Sequence, residues 1–361
     1  MKTLVRLTLA IVLLPVVADA AEPWGLKRGT PDIRSAGALA FGPDDVLFIG
    51  DTKSATVFAI ATGDTGTPTV GTNIIIDRID QAISDVCGAD ASINDLATNP
   101  RTGTTFLSVT TNDGPAICQV DAGGKLTRLS LTDVPFAQAV LPDAPEDKVV
   151  QRGRRKRNPR DDAITDIAFY EDRVLVSGLR AGDAPSSVRE FSFPFSNVDR
   201  GTGIAIYHAA HGREEDYAAA RTFVTLMIDG EPNLLAAYTC TPLVKIPLNG
   251  LREAGNTVQG ITVAELGNWN RPLDMISYSK DGSDYLLLSN SNRGVMKITA
   301  SGLKTSEGLS EPVKGGGTAG QTYETITSLD GVVQMDKFDD DHAIVLLKSD
   351  AGTALKTVTL P

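Results

Sequence analysis

Three aspartates stand in the same local context at widely separated points of the chain. They are Asp95, Asp166 and Asp274, within the segments Ile93-Asn94-Asp95-Leu96, Ile164-Thr165-Asp166-Ile167 and Pro272-Leu273-Asp274-Met275. Carboxylates brought together repel one another, so they favour a cation, shared protons or basic partners. Calcium takes oxygen ligands, and Asn94 offers an amide oxygen beside Asp95. The pattern predicts a Ca²⁺ site of these four residues. The alternatives are structural hydrogen bonds at strand ends, which are commoner, and direct contact with a basic ligand.

A second group of polar residues includes two histidines in one short loop. His208 and His211 are separated by two alanines and followed by Glu214 and Glu215. Because imidazole titrates near neutral pH, His208 is the candidate general acid or base, and His211 is a candidate ligand contact. This spacing alone does not identify a metal site, and an ordinary surface loop is the alternative.

The segment Asn268-Trp269-Asn270-Arg271 combines an aromatic ring with flanking amides and a cation. An indole face beside hydrogen-bonding groups suits a polyol or sugar, so these four residues are predicted to bind ligand. The alternative is a tryptophan packed between structural repeats. Other polar residues in comparable loops are predicted to share the same face: Arg180, Asn290, Asn292 and Arg293.

A basic run interrupts an otherwise acidic chain. Residues 152–160 include six lysines and arginines, whereas the whole chain of 361 residues carries a formal charge of −11. The run is predicted to contact an anionic ligand, an anionic partner protein or the chain's own acidic surface, with a solvated loop as the alternative. The net charge argues against general nucleic-acid binding.

Several classes of chemistry lack their sequence signatures. The chain has no GxSxG, HExxH or dinucleotide-binding fingerprint, no CxxCH, and only three histidines. Serine-hydrolase and Rossmann chemistry are therefore disfavoured, and no haem, nicotinamide or flavin motif is present. Whether the protein is an enzyme stays open at this point.

The N-terminus has the features of a secretory signal. Lys2 and Arg6 precede an apolar stretch over residues 7–17, and Ala18-Asp19-Ala20 is a small-residue cleavage motif. This predicts a cleaved signal peptide over residues 1–20 and a periplasmic or secreted domain over residues 21–361. No later apolar run is long enough to span a membrane as a helix, and we expect a monomer.

Three cysteines in an exported chain permit one disulfide and leave one thiol. Cys87 and Cys240 are expected on the ligand face, and Cys118, inside an apolar run, is expected to be a buried unpaired thiol.

The elements that position these residues repeat along the chain. Units consist of three short apolar or β-branched runs separated by turns, and their first runs begin near Ala38, Asn94, Thr165, Thr222, Leu273 and Gln334. Intervals of about 50 to 70 residues suit a four-stranded sheet with its loops, so the sequence predicts an all-β, six-bladed β-propeller. Residues 24–33 are predicted to close the ring by completing the C-terminal blade. Seven blades, an open solenoid or paired sandwiches are the alternatives.

The first unit resembles a known blade signature. The stretch Gly37-Ala38-Leu39-Ala40-Phe41-Gly42-Pro43-Asp44-Asp45-Val46-Leu47-Phe48-Ile49-Gly50 is similar to blades of the NHL-repeat, senescence-marker-protein (gluconolactonase) and strictosidine-synthase-like superfamily. That resemblance implies either a binding module or a metal-dependent lactonase or esterase. Ala38 stands where the gluconolactonase type has a metal-binding glutamate. The sequence therefore favours binding of a small polar ligand or partner protein at the carboxylate-lined face, with the hydrolase as the alternative.

Overall fold

The computed structural model describes residues 23–66, 73–152, 155–252 and 256–361. The predicted signal peptide lies outside this part of the chain. Strands form where β-branched and aromatic residues follow one another between tight turns. Val46–Asp51, for example, is buried along its whole length and follows a turn in which Asp44 and Asp45 adopt φ values of 47° and 63°. Aspartate tolerates positive φ, so these two residues form the turn and the strand starts directly after them.

The strands of the described residues assemble into six antiparallel blades, which we number in chain order and describe from the channel outwards. Blades 3 and 4 are joined into one ten-stranded sheet, because their outer strands Thr202–His208 and Thr257–Leu266 pair in parallel. Blade 1 contains Leu39–Phe41, Val46–Asp51, Thr56–Ala61, Val134–Val140 and Lys27–Gly29. Blade 2 contains Ser92–Thr98, Thr105–Thr111, Gly114–Val120 and Leu126–Arg128. Blade 3 contains Asp166–Tyr170, Arg173–Leu179, Ser186–Ser192 and Thr202–His208, with Arg213–Glu215 beside the last.

The second half of the chain forms the remaining blades. Blade 4 contains Thr222–Ile228, Glu231–Ala237, Pro242–Pro247 and Thr257–Leu266, with Thr318–Gly320 beside the last. Blade 5 contains Pro272–Lys280, Ser283–Asn290, Gly294–Thr299 and Glu324–Thr325. Blade 6 contains Val332–Lys337, His342–Ser349, Gly352–Thr359 and Ile75–Ile76.

The remaining elements are short and lie outside the blades. The hairpin Val150–Arg152 and Arg155–Arg157 precedes blade 3. Helix α1 spans Ile79–Cys87 and buries Ile79, Ile83 and Cys87. Single 3-10 turns are Pro23–Gly25, Pro43–Asp45, Pro159–Asp162, Leu248–Arg252, Ala300–Leu303, Lys314–Gly316 and Thr327–Leu329. In the described residues no helix is both long and apolar enough to cross a membrane.

The six innermost strands form a closed ring, but the blades do not follow one another in chain order. Contacts between innermost strands link blade 1 to blades 2 and 3, and blade 2 to blade 6. The apolar cores between blades show the same neighbours: Phe48 of blade 1 shares a core with Val176 of blade 3, and Leu107 of blade 2 shares one with Leu346 of blade 6. The order around the ring is therefore 2-1-3-4-5-6.

The all-β six-bladed propeller is confirmed, whereas the predicted closure is wrong. The strand that completes blade 6 is Ile75–Ile76, which pairs with Leu355 and Lys356. Lys27–Gly29 instead forms the outer edge of blade 1, against Val134–Val140. Because blade 2 lies between blades 1 and 6, the connection from blade 1 to blade 2 passes blade 6 and reaches its open edge first. The described residues between Ala116 and Asp162 extend blades 1 and 2 and form the basic hairpin, so they supply no seventh blade.

Helix α1 brings two cysteines together. Cys87, at the end of the helix, and Cys118, in blade 2, are both buried, and their Sγ atoms lie 2.8 Å apart. Burial of Cys118 agrees with the sequence prediction, but its contact with Cys87 was not anticipated. Because of this contact, we no longer expect Cys118 to be an isolated thiol and expect it to form a disulfide with Cys87.

We therefore expect a Cys87–Cys118 disulfide in protein purified from an oxidising compartment. Peptide mapping without reductant should recover the two cysteine peptides joined, and Cys240 alone should react with a thiol reagent before unfolding. Recovery of Cys118 joined to Cys240, or of three alkylated thiols, would contradict this expectation. Cys118→Ala under the same conditions is the control, since it should release Cys87.

Candidate functional site

The predicted aspartates lie at one level of the central channel. Asp95, Asp166 and Asp274 belong to the innermost strands of blades 2, 3 and 5. Each pairs in register with a serine of the second strand in its own blade: Ser108, Ser177 and Ser289. The inference that the three carboxylates share one aligned position around the channel is therefore supported by the geometry of the strands.

Each aspartate joins two neighbouring blades through backbone hydrogen bonds. The N–H of Leu39 donates to Asp95 over 2.8 Å, that of Phe223 to Asp166 over 2.8 Å, and that of Met335 to Asp274 over 2.7 Å. The second oxygen of Asp166 accepts the N–H of Ile167, and that of Asp274 accepts the N–H of Met275. These bonds link blade 2 to blade 1, blade 3 to blade 4, and blade 5 to blade 6.

A fourth channel aspartate was missed by the sequence analysis. Asp336 of blade 6 accepts the N–H of Thr98 in blade 2 over 2.7 Å and that of Lys337 over 2.7 Å. Blades 2, 5 and 6 share a register irregularity near the start of the innermost strand, and in blade 6 the residue after it is Gln334, where blades 2 and 5 have Asp95 and Asp274. Asp336 lies two residues further along the strand, so alignment of the strand starts did not identify it.

The four carboxyl groups favour the protonated form more than free aspartate does. Burial raises the pKa of Asp166 and of Asp336 from 3.8 to about 6. Burial, followed by the charge of Asp166, raises the pKa of Asp95 well above its usual range, and burial followed by the charge of Asp95 does the same for the pKa of Asp274. Backbone donors act in the opposite direction but do not outweigh desolvation.

Two cavities open on opposite ends of this ring. The larger, with a volume of about 780 Å³, lies where the innermost strands begin. Its polar lining includes Asn94, Thr165, Arg221, Arg271, Gln334 and Lys348, above Asp95, Asp166 and Asp274. The smaller, of about 420 Å³, lies where those strands end, and its wall combines Phe41, Phe169, Phe223 and Phe338 with Asp336, Asp339 and Asp340. Asp95, Asp166 and Asp274 line both cavities, and the larger one also includes Asn94 and Arg271 of the predicted site.

Asn94 contributes to the larger cavity while also linking two blades. Its amide nitrogen donates to the carbonyl of Ala36 over 2.7 Å and to the hydroxyl of Thr110 over 2.8 Å. The predicted calcium set is thus brought to one cavity. Within the described part of the chain, however, the three carboxylates of this set do not all converge to within 4.8 Å of one another. Calcium binding there stays a prediction.

The predicted aromatic loop stands near the rim of the same cavity. Arg271 and Ser291 line the cavity, and the N–H of Arg271 donates to the hydroxyl of Ser291. Trp269 is 84% exposed, so the alternative of a tryptophan packed between blades is wrong. The loop is held by Asn292, which donates to the carbonyl of Trp269, and by Arg293, which donates to that of Asn268.

Other predicted ligand contacts are occupied within the protein. Asn270 and Asn290 are buried, and Asn270 accepts the N–H of Asn292. Arg180 is also buried and donates to the carbonyls of Gly201 and Ala184, so it is not available as a contact on the ligand face. These side chains stabilise loops, and nothing in the sequence distinguishes them from exposed residues.

The basic run forms a hairpin beside the mouth of the larger cavity. Arg157 forms an ion pair with Asp162, which also pairs with Arg221 over 2.6 Å. Arg160 donates to the carbonyls of Pro145 and Lys53. Of the three predicted contacts for this run, the chain's own acidic surface accounts for Arg157.

His208 and His211 lie away from the channel, at the outer edges of blades 3 and 4. Nδ1 of each histidine is 2.8 Å from a different oxygen of Glu215. Burial opposes ionisation of Glu215, but hydrogen bonds from Tyr217, both histidines and Arg213 lower its pKa to about 2. Burial lowers the pKa of His208. His208 and His211 are brought together, but not with the aspartates.

Comparison with known proteins adds little to this description. No family model and no curated protein matches the chain. Among solved structures, an oxidoreductase (glucose dehydrogenase) of Thermus thermophilus is 13% identical over 92% of this chain and 100% of its own, with a TM-score of 0.35. The aldose sugar dehydrogenase of Streptomyces coelicolor in its PQQ-bound form is 13% identical over 93% and 98%, with a TM-score of 0.31.

A third similar structure is the extracellular region of plexin A4. It is 10% identical over 93% of this chain and 40% of its own, with a TM-score of 0.44. The first two are named as sugar dehydrogenases and the third is plexin A4, and likenesses of this strength carry no argument about function. The functional argument therefore rests on the residues themselves.

Proposed function

We propose that this protein is an exported β-propeller that binds a small polar ligand in the larger channel cavity. The observation that carries the proposal is the set of buried carboxyl groups at its base, Asp95, Asp166 and Asp274. Burial raises their pKa values, because the backbone N–H groups replace only part of the hydrogen bonding that water gives to a free carboxylate. A carboxylate oxygen accepts more than one hydrogen bond. A ligand with hydroxyl or ammonium donors would supply the further hydrogen bonds that the backbone N–H groups do not provide to these oxygens.

The size and the rim of the cavity support a small-molecule ligand. Its volume of about 780 Å³ falls within the range of about 300 to 1,000 Å³ that is usual for such sites. Arg271 and Lys348 add cationic groups above the carboxyls. The exposed indole of Trp269 offers an apolar face near the same rim, which suits the faces of a sugar ring. We infer a ligand that presents donors inwards and an anionic or apolar part outwards.

The alternative is a metal-dependent lactonase or esterase at the same face, as the resemblance to the gluconolactonase type implies. A bound Ca²⁺ would polarise a carbonyl group there. This function has less support, because both oxygens of Asp166 and of Asp274 already accept backbone N–H groups and Ala38 replaces the family's glutamate. Melting the protein with Ca²⁺ and with chelator separates the two functions, since the binding proposal needs no response to either.

Ligand binding is testable with three defined probe panels: neutral sugars and polyols, diamines, and dicarboxylates. We expect calorimetric binding and a raised melting temperature with a member of the first or second panel. Asp274→Asn should weaken that binding by about tenfold or more, because a charge-assisted hydrogen bond contributes about 1.5 to 3 kcal/mol. Trp269→Ala should weaken binding without altering the melting temperature of the free protein.

Asp350→Asn is the matched control, since Asp350 is exposed in the turn between the second and third strands of blade 6. It should bind like the unmodified protein. Binding confined to dicarboxylates, or equal binding by Asp274→Asn and Asp350→Asn, would overturn the proposed site. Absence of binding in all three panels, together with stabilisation by Ca²⁺, would favour the hydrolase.

A further inference from the structure

Four ionisable side chains meet at the outer edge of blades 3 and 4, separate from the channel. His208 ends the outer strand of blade 3, Glu215 ends the short strand beside it, and Glu265 lies near the end of the outer strand of blade 4. His211, in the intervening turn, lies against His208 with ring centroids 3.8 Å apart. His208, Glu215 and Glu265 are nearly inaccessible to solvent, and the side chain of His211 is 40% exposed.

Two buried polar atoms of this cluster have no hydrogen-bond partner among the described residues. They are Nε2 of His208 and Oε2 of Glu265. Nε2 of His208 lies 4.0 Å from Oε1 of Glu265, too far for a hydrogen bond. When the His208 proton sits on Nδ1 and bonds to Glu215, the bare Nε2 lone pair faces another carboxyl group. Buried polar atoms of this kind usually mark a missing partner.

We propose that His208, His211 and Glu215 bind one divalent transition-metal ion of the zinc type, with Glu265 holding His208 from behind. The ligands are Nδ1 of both histidines and the carboxylate of Glu215, and the three residues offer ligand atoms within 4.8 Å of one another. Metal on Nδ1 places the His208 proton on Nε2, where it faces Glu265. A carboxylate behind a metal-bound histidine is the usual arrangement.

The distances suit such an ion after a small displacement. Bonds of about 2.0 Å in tetrahedral geometry hold two ligands about 3.3 Å apart. Nδ1 of each histidine is now 2.8 Å from a different oxygen of Glu215, so each nitrogen–oxygen pair needs to separate by only about half an ångström. A ligand set of two imidazole nitrogens and a carboxylate favours zinc-like ions over calcium, which prefers oxygen ligands only. A water molecule would take the remaining position on the exposed side of His211.

One cation competes for the site. Nε of Arg213 donates to Glu215 over 3.0 Å, and the other end of its guanidinium donates to the hydroxyl of Tyr217. The Arg213 side chain is 62% exposed, so it can turn into solvent when a metal takes its place. Metal binding should therefore be stronger in Arg213→Gln, a result that a purely structural role for the cluster would not produce.

Zinc titration of the metal-free full-length protein tests the proposal. We expect one Zn²⁺ per chain by calorimetry, a higher melting temperature with zinc, and the visible absorption of tetrahedral Co²⁺ on cobalt substitution. His211→Gln should weaken zinc binding at least about 100-fold by removing a ligand, and Glu265→Gln should weaken it about 10- to 100-fold, as changes behind a ligand do.

His342→Gln is the matched control, because His342 is the third histidine of the chain and bonds to Asp339 in blade 6. It should leave zinc binding unchanged, as should Asp274→Asn in the channel. Circular dichroism establishes that each variant is folded. No zinc uptake by the unmodified protein, or equal uptake by folded His211→Gln and His342→Gln, would overturn the proposal without affecting the channel site.

Discussion

Lowering the pH from about 8 to about 5 is expected to make the folded protein more stable, because the channel carboxyls take up protons more readily when folded. Asp166 and Asp336 have pKa values near 6 in the folded state against 3.8 for free aspartate. Between these values the folded state binds more protons than the unfolded state, so the free energy of unfolding falls as pH rises. The gain is complete below the unfolded pKa. A shift of this size corresponds to at most about 3 kcal/mol per carboxyl group.

Other titrating groups, both near Asp166 and elsewhere in the protein, limit how far stability rises as the pH falls. Asp95, Asp274 and Asp336 share the channel with Asp166, and Arg221 is the nearby cation whose pKa responds to it. Glu215, with a pKa of about 2, has the opposite sign: its contribution is lost as pH falls below the unfolded value of 4.5. His208, with a lowered pKa, also opposes the gain below its usual value of 6.5. Maximum stability is therefore expected near pH 5.

Denaturant unfolding at a series of pH values, with chelator present, measures this dependence. Asp166→Asn should reduce the gain between pH 8 and 5 by about 1.4 kcal/mol, because one titrating group is lost and about half of its full contribution develops above pH 5. Asp350→Asn, on the surface, should keep the full gain. A free energy of unfolding that stays level or rises between pH 5 and 8, or an unchanged gain in Asp166→Asn, would show that burial does not control these carboxyls.

The sequence predicted the blades well because their signals are local. Apolar runs and turn residues such as Gly42, Pro43 and Asp44 fix where each strand begins, and the second strands Val46–Asp51, Thr105–Thr111 and Arg173–Leu179 lie where the pattern placed them. The aligned aspartates followed from the same pattern. Asp336 did not, because Gln334 occupies the aligned position in blade 6 and Asp336 lies two residues further along the strand.

The order of the blades and the closure of the ring depend on distant contacts. Ile75–Ile76 has only two residues, and nothing in them specifies pairing with Leu355 and Lys356. Likewise, the position of blade 2 beside blade 6 depends on a shared apolar core that includes Leu107 and Leu346, and not on the chain order. In the cluster around Glu215, the sequence showed His208, His211 and Glu215 in one loop but not Glu265, because Glu265 comes from another blade.

Replacing Arg189 by methionine is expected to stabilise the protein by about 1 to 3 kcal/mol, the range seen when buried charges give way to apolar side chains of similar size. Arg189 lies in the third strand of blade 3 and is fully buried. Its Nη2 is 3.5 Å from the carbonyl of Leu179, and among the described residues its Nε and Nη1 have no hydrogen-bond partner. Burial, followed by the charge of Arg180, lowers its pKa to about 10. Methionine keeps the length of the side chain and removes the charge.

The same substitution at Arg173, in the neighbouring strand, should have the opposite effect. Arg173 donates to Glu190 over 2.7 Å, and both side chains are largely buried. Arg173→Met would leave Glu190 without its cation and should cost about 3 to 5 kcal/mol, whereas Arg189→Met strands no carboxylate. Urea unfolding of both variants, with Arg189→Lys as a charge-retaining control, measures the difference. Arg189→Met could instead lose as much stability as Arg173→Met. In that case the Arg189 guanidinium must be hydrogen bonded to a partner such as buried water, and its charge does not destabilise the folded protein.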